Sequence, residues 1–294
     1  MKFQANYSIK DLEKLSGIKA HTLRIWEKRY ALFKPDRTET NIRYYSNDDL
    51  KRILNISQLN KSGFKISKIA EMSDSEINEK VSMVNMVKTK SEDIIDSLLL
   101  GMIDLNEVNF NKIFSDCILR MGFENTIQKV IFPFLQRIGV MWLTGSINPA
   151  QEHFVSNIIR QKLIVAIDGV SGNDDKNSKS AVLFLPENEL HEMSLLYYNY
   201  VLRSRNIRTV YLGQLVPTES LLRIIEIVKP HFLIGVITNP LSQNELEKYF
   251  SSLNNIEGVK KVLITGKIVL EQRKFPAKIT PFNDATDLLT HIQN

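Results

Sequence analysis

The stretch that decides the fold is TLRIWEKRYALFKPDRTETNIRYYS, residues 22–46. Its first half places Leu23 and Trp26 on one apolar stripe at helical spacing. The preceding YSIKDLEKLSG, residues 7–17, predicts a shorter helix that starts after a serine cap and ends at a glycine. Exposed basic side chains are expected at Arg24, Lys28 and Arg29. Two short helices joined by a tight turn, the second of them basic, predict a helix-turn-helix.

The second half of the stretch and the charge distribution extend this prediction. The run ALFKPDRTETNIRYYS is rich in Pro, Thr, Arg and Tyr, as a two-stranded wing would be. Residues 1–72 hold 15 Lys and Arg against 8 Asp and Glu, which is a net charge of +7, whereas the remaining residues carry −2. This asymmetry predicts an N-terminal face that binds phosphates. The alternative is that the arginines and lysines only solvate a helix.

These residues resemble the MerR family of winged-helix transcriptional regulators over about residues 6–75. The resemblance implies that the second helix enters the major groove of double-stranded DNA and that the wing lies near backbone phosphates. The chain departs from the family at Asn41-Ile42, where a glycine and an aromatic residue are usual. The DNA contacts expected from the resemblance are Thr22, Arg24, Lys28, Arg29, Arg37, Arg43 and Tyr45.

The middle of the chain predicts a helical bundle. Four segments between residues 91 and 170 carry apolar residues at i, i+3, i+4 and i+7, and each is bounded by Gly, Asn or Ser. The polar run Lys88–Ser91 interrupts any sustained heptad, so we expect no long coiled coil before the bundle. Cys117, the one cysteine, is expected to be a buried apolar residue, and a single cysteine suits a reducing compartment.

The C-terminal part alternates short apolar strands with amphipathic helices. SAVLFLP, RTVYLGQLVP, HFLIGVITNP and VKKVLITGK are the four predicted strands. This alternation predicts a doubly wound, Rossmann-like parallel sheet that binds ligands beyond the carboxyl ends of its strands. The predicted fold is therefore multidomain, α plus α/β. Its expected parts are a winged helix-turn-helix at 1–75, a linker at 76–90, a four-helix bundle cap at 91–172 and a Rossmann-like domain at 178–294.

Trp142, at the end of the third bundle helix, and Glu152-His153, at the start of the fourth, are expected at one rim of the bundle across a Gly145-Ser146 turn. Packing alone also accounts for a tryptophan plug and two exposed first-turn residues. The W-x9-EH arrangement resembles the cap of cobalamin-dependent MerR regulators of the CarH and LitR type. The resemblance implies that Trp142 and Glu152 lie beside the upper axial group and that His153 approaches cobalt when this group is lost.

The loop PENELHEMS follows the first strand of the sheet. A polar loop before a helix N-terminus is one interpretation, because Glu is favoured there. The loop also resembles the cobalamin signature Asp/Glu-x-His-x-x-Gly, which implies that His191 is the lower axial cobalt ligand and that Glu189 holds its opposite ring nitrogen. Three departures fall near the nucleotide tail. The cofactor residues expected there are Ser194 in place of Gly, Thr238 in a changed Ser-x-Leu/Thr element, and Thr265-Gly266 in place of Gly-Gly.

The sequence therefore predicts a cytoplasmic DNA-binding regulator, expected to be a repressor, and not an enzyme. Its C-terminal half is expected to bind a cobalamin and to control homo-oligomerisation and operator affinity, with light as the implied signal. One alternative is a cobalamin-independent regulator whose sensor region dimerises or binds a protein. A corrinoid methyl-transfer module is the other, although no catalytic constellation or metal-ligand cluster accompanies it. No apolar run reaches the ~20 residues of a spanning helix, so no membrane partner is expected.

Overall fold

The structure is a computed structural model that describes residues 7–33, 35–37, 41–85, 91–143, 147–171 and 178–293. Contacts within the chain divide it into two compact units, Met1–Ile158 and Ile159–Asn294. The predicted domain boundaries stay predictions. Residues 86–90 of the predicted linker lie outside the described residues, whereas its residues 76–85 are helical.

The first unit begins with a head, residues 7–85, whose helices start and end at recognisable caps. Ser8 forms a capping box with Asp11, and Gly17 ends the first helix in the left-handed conformation at φ 71°. Ser46 and Asp49 form a second capping box. The elements of the head are α1 (Ile9–Ser16), α2 (Ala20–Tyr30), β1 (Asp36–Arg37), β2 (Arg43–Tyr44), α3 (Asn47–Lys61), α4 (Ile66–Ile69) and α5 (Asp74–Asn85).

The head is built around the apolar stripe read from the sequence. Leu23 and Trp26 of α2 are buried against the rest of the head. The strands β1 and β2 pair antiparallel, as a wing does. Tyr7 and Tyr45 form a further antiparallel bridge, in which each backbone N–H donates to the other residue's carbonyl at 2.9 Å. The predicted winged helix-turn-helix architecture is confirmed.

A bundle of helices follows the head. The third predicted helix is not uniformly α-helical, because Pro133 has no N–H to give to the carbonyl of Lys129. The turn just before this proline, Ile127–Ile131, is π-helical. Cys117 is buried, as expected. The elements of the bundle are α6 (Ser91–Ile103), α7 (Glu107–Met121), α8 (Phe123–Thr126), the π-helical turn, α9 (Phe132–Leu143) and α10 (Pro149–Asp168).

The second unit is a five-stranded parallel sheet with helices between its strands, which confirms the doubly wound fold. Strand order is β4-β3-β5-β6-β7, and all neighbouring pairs are parallel. The short strand β7 was not among the four predicted. The elements are β3 (Ser180–Pro186), α11 (Met193–Arg203), β4 (Arg208–Val216), α12 (Thr218–Val228), β5 (Phe232–Val236), α13 (Gln243–Asn254), β6 (Lys261–Thr265), α14 (Lys267–Leu270), β7 (Ile279–Pro281) and α15 (Ala285–Gln293).

The strand order creates a switch point beside β3. From β3 the chain crosses to β4 on one side, and it then returns to β5 on the other side. Connections that leave in opposite directions open a crevice at the carboxyl ends of the two central strands. The loop at residues 187–192 follows β3 at this crevice. Within the described residues, no helix combines the length and apolar character that crossing a bilayer demands.

Candidate functional site

Helix α2 presents the basic face that the sequence predicted. Arg24, Lys28 and Arg29 are exposed, and Thr22 at the start of the helix is half-buried. Because Trp26 anchors the opposite face in the core, these side chains point away from the head. Exposed guanidinium and ammonium groups on a short helix supply affinity for phosphates and donors for base edges. Their contact with DNA stays a prediction.

The wing is held to α2 by Glu27. Arg43 of β2 donates from Nε to Glu27 Oε1 at 3.1 Å, and the hydroxyl of Tyr45 donates to Glu27 Oε2 at 3.4 Å. Tyr45 is fully buried, and its ring meets Phe33 edge to face. The structure therefore corrects the prediction that Tyr45 lies near phosphates, because burial places this residue in the core beneath the wing. Glu27, which orients Arg43, was not predicted from the sequence.

The departure at Asn41 preserves the backbone that a glycine would give. Asn41 has φ 64°, in the left-handed region that Asn tolerates better than most residues. Its side-chain oxygen accepts a hydrogen bond from Arg37 Nη1 at 2.6 Å. Arg37 is exposed and is thereby oriented along the wing. Arg37 and Arg43 lie on paired strands, and both stay predicted DNA contacts.

Trp142 and the Glu152-His153 pair occupy neighbouring helix ends in the bundle. Trp142 lies in the last turn of α9 and is 56% exposed, so it is not a core plug. His153 Nδ1 lies 3.1 Å from Glu152 Oε2, and Ser156 donates to the other carboxylate oxygen at 2.6 Å. The predicted turn at Gly145-Ser146 lies outside the described residues. An exposed indole is suited to contact a flat ligand, and the carboxylate of Glu152 orients the imidazole of His153.

Five hydrogen bonds converge on the carboxylate of Glu189, in the loop after β3. His191 donates to Oε1 from its backbone N at 3.0 Å and from its Nδ1 at 2.7 Å. Thr238 donates to Oε2 from its backbone N at 2.6 Å and from its hydroxyl at 2.8 Å, and Asn239 donates from its backbone N at 2.8 Å. The Glu189 side chain is 3% exposed. It therefore ties His191 to the loop after β5.

These contacts keep Glu189 ionised and fix the imidazole. Burial by itself would raise the pKa of Glu189, but hydrogen bonds from His191, Asn239 and Thr238 outweigh it and lower the pKa to about 2. An ionised acceptor places the ring proton of His191 on Nδ1, which gives Nε2 the lone pair that a metal ligand needs. The His191 side chain is 68% exposed. This donor set fits an axial ligand of cobalt.

Residues that sequence reasoning missed hold the rest of the loop. Glu192 is buried, pairs with Arg160 of α10 and accepts a hydrogen bond from the hydroxyl of Tyr211 at 3.0 Å. Burial and the charge of Glu192 raise the pKa of Tyr211. Gln214 donates to the carbonyl of Leu190 at 2.5 Å. The only sequence signal was the last acidic residue in ENELHE, which alone does not indicate its partners.

The residues predicted along the nucleotide tail are brought together only in part. Thr238 is committed to Glu189, and Ser194 is half-buried in the first turn of α11. Thr265 is buried, and its carbonyl accepts a hydrogen bond from Ile237 N at 2.9 Å. Gly266 has φ 129°, and a Cβ there would lie 1.8 Å from the carbonyl oxygen of Ile237. The loops after β5 and β6 therefore touch backbone to backbone, and the tail contacts stay predictions.

The remaining histidines have ordinary structural partners or lie at the surface. His231 Nδ1 accepts a hydrogen bond from Ser180 N at 3.1 Å, and His291 lies 3.3 Å from Asp287. His21 is exposed in α2. Among the described residues, no group of three or more His, Cys, Asp or Glu is placed to hold a metal ion.

Comparison with known proteins identifies the class to which these two sites point. Residues 7–76 match the MerR HTH family regulatory protein, and residues 94–166 match the B12 binding domain. The chain is a DNA-binding transcriptional regulator that combines a MerR-type helix-turn-helix with a cobalamin-binding sensor region.

The chain is similar to two transcriptional repressors over most of its length. It is homologous to the HTH-type transcriptional repressor CarH of Myxococcus xanthus, with 26% identity over 242 residues that cover 80% of this chain and 79% of CarH. CarA of the same organism is 25% identical over 215 residues, which cover 72% of this chain and 70% of CarA. The monomethylamine corrinoid protein of Methanosarcina barkeri has a similar fold, with a TM-score of 0.55 and 16% identity over 69% of this chain and 99% of that one.

Proposed function

We propose that the chain is a cytoplasmic repressor that binds operator DNA as a homo-oligomer and uses a bound cobalamin to set its assembly. CarH and CarA are both transcriptional repressors, which supports repression as the direction of regulation. Basic residues support the DNA contact, because three of them are exposed on α2 and Arg37 is exposed on the wing. We propose no catalytic activity, since these relatives are regulators.

In this proposal His191 is the lower axial ligand of cobalt. Its Nε2 would bind the metal, and Glu189 holds the opposite nitrogen and increases the basicity of the ring. Thr238 and Asn239 hold Glu189 in turn, so the imidazole is oriented before the cofactor arrives. The pair Glu189 and His191 is the observation that carries the proposal, because core packing does not require a buried ionised carboxylate with five donors.

Trp142, Glu152 and His153 are proposed to serve the upper axial side. Trp142 covers the face of the corrin and excludes water, and Glu152 orients His153. Bound adenosylcobalamin supplies a cobalt–carbon bond that light breaks. His153 would be the residue available to bind cobalt after this bond is broken, and Glu152 would orient its imidazole. Light is therefore the proposed signal.

Regulation requires that the cofactor favour one assembly over another, because a ligand with equal affinity for both states shifts nothing. Several DNA-binding heads in one oligomer raise avidity for repeated operator sites. Loss of the assembly therefore lowers operator occupancy even though each head keeps its own contacts.

An absorption spectrum tests the central claim. The purified full-length chain is mixed in the dark with adenosylcobalamin, desalted and measured before and after illumination. We expect retained corrin with a base-off, histidine-ligated spectrum that changes in light and is lost in His191→Ala. His21→Ala is the matched control, since His21 is exposed in the head, and it should behave like the wild type.

Two outcomes would favour other functions. If adenosyl-, methyl- and hydroxocobalamin are all lost on desalting, the C-terminal unit is a dimerisation or protein-binding module. If the loaded chain transfers a methyl group from methylcobalamin to a thiol acceptor, the fold similarity to a corrinoid protein reflects a carrier function. Retention without methyl transfer supports the sensor.

A further inference from the structure

A buried ionic contact joins the head to the bundle inside the first unit. Asp96, on α6, is fully buried. Its Oδ1 lies 2.6 Å from Arg137 Nη1 of α9, and its Oδ2 lies 3.4 Å from Lys61 Nζ in the last turn of α3. One carboxylate oxygen is therefore paired with the bundle and the other with the DNA-binding head.

A second set of contacts connects the C-terminal end of α6 to the head and to the bundle. Asp104, just after α6, forms an ion pair with Lys51 of α3. The carbonyl of Ile103, the last residue of α6, accepts a hydrogen bond from the buried side chain of Gln151 in α10 at 3.0 Å. Helix α6 thus has polar ties to α3, α9 and α10.

These ties reach the helices that carry the proposed lid of the corrin. Arg137 precedes Trp142 on α9 by five residues, which is about 7 Å along a helix axis. Gln151 immediately precedes Glu152 on α10. On both α9 and α10, the residue that is tied to α6 therefore lies within two helical turns of a lid residue.

A buried carboxylate is a poor source of stability but a strong constraint on geometry. Burial raises the pKa of Asp96, and the charges of Arg137 and Lys61 offset only part of this rise. The cost of desolvation is offset only while both cations stay in place, so loss of one partner is much worse than loss of the whole cluster. Helices α3 and α9 are consequently held in one relative position.

We propose that Asp96 is a positioning residue that transmits corrinoid occupancy from the bundle to the DNA-binding head. This inference rests on the proposed function and deepens it. A corrin bound beside Trp142 would fix the position of α9. The contact of Arg137 with Asp96 then links the position of α9 to α6, and the contact of Asp96 with Lys61 links α6 to the C-terminal end of α3. Because α3 packs on α1, which packs on α2, the presentation of the recognition helix follows.

The test uses Lys61, because its side chain is 39% exposed, against 21% for Arg137, so solvent can offset part of the charge that its replacement leaves unpaired on Asp96. Lys61→Gln removes the ion pair between the head and Asp96 but keeps the ion pair of Asp96 with Arg137. Lys61→Arg keeps the positive charge at this position. Lys68→Gln is the matched control: it removes the same charge from the same head, at a residue whose ion pair with Glu71 is exposed.

The measured quantity is the ratio of the dissociation constants for DNA without and with adenosylcobalamin, in the dark. The probe is a duplex that the wild-type chain selects from a random-sequence pool, read by fluorescence anisotropy. Corrin spectra and sedimentation velocity accompany each variant. We expect Lys61→Gln to move this ratio toward one by about three- to tenfold. Lys61→Arg and Lys68→Gln should stay within about twofold of the wild type.

An equal loss of DNA affinity with and without corrinoid would leave the ratio unchanged, and it would show a purely structural or DNA-contacting role for Lys61. A changed ratio that comes with lost corrinoid-dependent assembly would also overturn the inference, in favour of the oligomer interface. If the wild-type chain binds corrin but has the same dissociation constant for DNA with and without it, occupancy is not transmitted to the head. Cobalamin binding would still stand. Absence of corrin from the spectrum refutes the proposed function itself, and the transmission falls with it.

Discussion

Replacing Glu189 with Gln removes the charge on which five hydrogen bonds converge, and the size of the effect follows from the ionisation of this carboxyl. The change from an ordinary pKa of 4.5 to about 2 means that the folded chain favours the carboxylate by about 3 kcal/mol. Because the folded pKa is depressed, this stabilisation is complete above about pH 4.5 and is lost as the pH falls through about 2. Glu189→Gln should therefore cost about 3 kcal/mol at pH 7 and about half of this at pH 3.

Hydrogen exchange of the full-length chain gives the appropriate measurement. Peptides that cover β3 and β5 report the opening free energy of the sheet even if the head unfolds separately. Glu187→Gln is the control in the same loop, because Glu187 is exposed and accepts one hydrogen bond, from Thr218 N at 3.2 Å. The electrostatic explanation is refuted if Glu189→Gln lowers the opening free energy by no more than Glu187→Gln does. It is also refuted if the loss of opening free energy is the same at pH 7 and pH 3.

Three further changes have distinct expected results. Gly266→Ala should destabilise the chain by about 3 kcal/mol or more, because its Cβ would overlap the carbonyl of Ile237. Gly139→Ala is the control in α9, where the added Cβ meets open space, and it should stabilise the chain by about 0.5–1 kcal/mol. Thermal unfolding compares the two variants. Arg24→Ala should weaken binding to the selected duplex by about 1–3 kcal/mol, and unchanged affinity would contradict the docking of α2. Glu27→Gln should weaken the same binding by about 1 kcal/mol, because Arg43 loses its orientation. Glu13→Gln is the control, because Glu13 contacts the exposed Lys19 and the start of α2, and it should leave the wing unchanged.

The elements with strong local signals were predictable from the sequence. The apolar stripe of Leu23 and Trp26, the serine caps and the glycine stop define the helix-turn-helix without any long-range information. The central strands β3 and β5 are apolar runs, which burial on both faces requires. The strand β7 was missed because ITP is three residues long and carries no periodicity. Similarly, the π-helical turn before Pro133 keeps the apolar pattern of an α-helix and changes only its hydrogen bonds.

Side-chain partners were predictable only when they are close in sequence. Glu189 and His191 are two residues apart, and their contact follows from the spacing. Tyr45 was misjudged because its hydroxyl and ring suit either a phosphate or a core, and only the fold decides between them. Asp96 gave no signal, since its partners lie 35 and 41 residues away on two other helices. Such contacts depend on tertiary packing, which a single sequence does not display.

The burial of Cys117 has a practical consequence for spectroscopy. Burial raises the pKa of its thiol to about 11, so at pH 7 only about one molecule in ten thousand carries the reactive thiolate. A cysteine introduced at an exposed position, such as Leu119→Cys on the same helix, will react with a maleimide far faster. Fluorophores or spin labels can thus be attached at chosen points of the otherwise native chain, and the proposed response to light can be tested as a change in the distance between them.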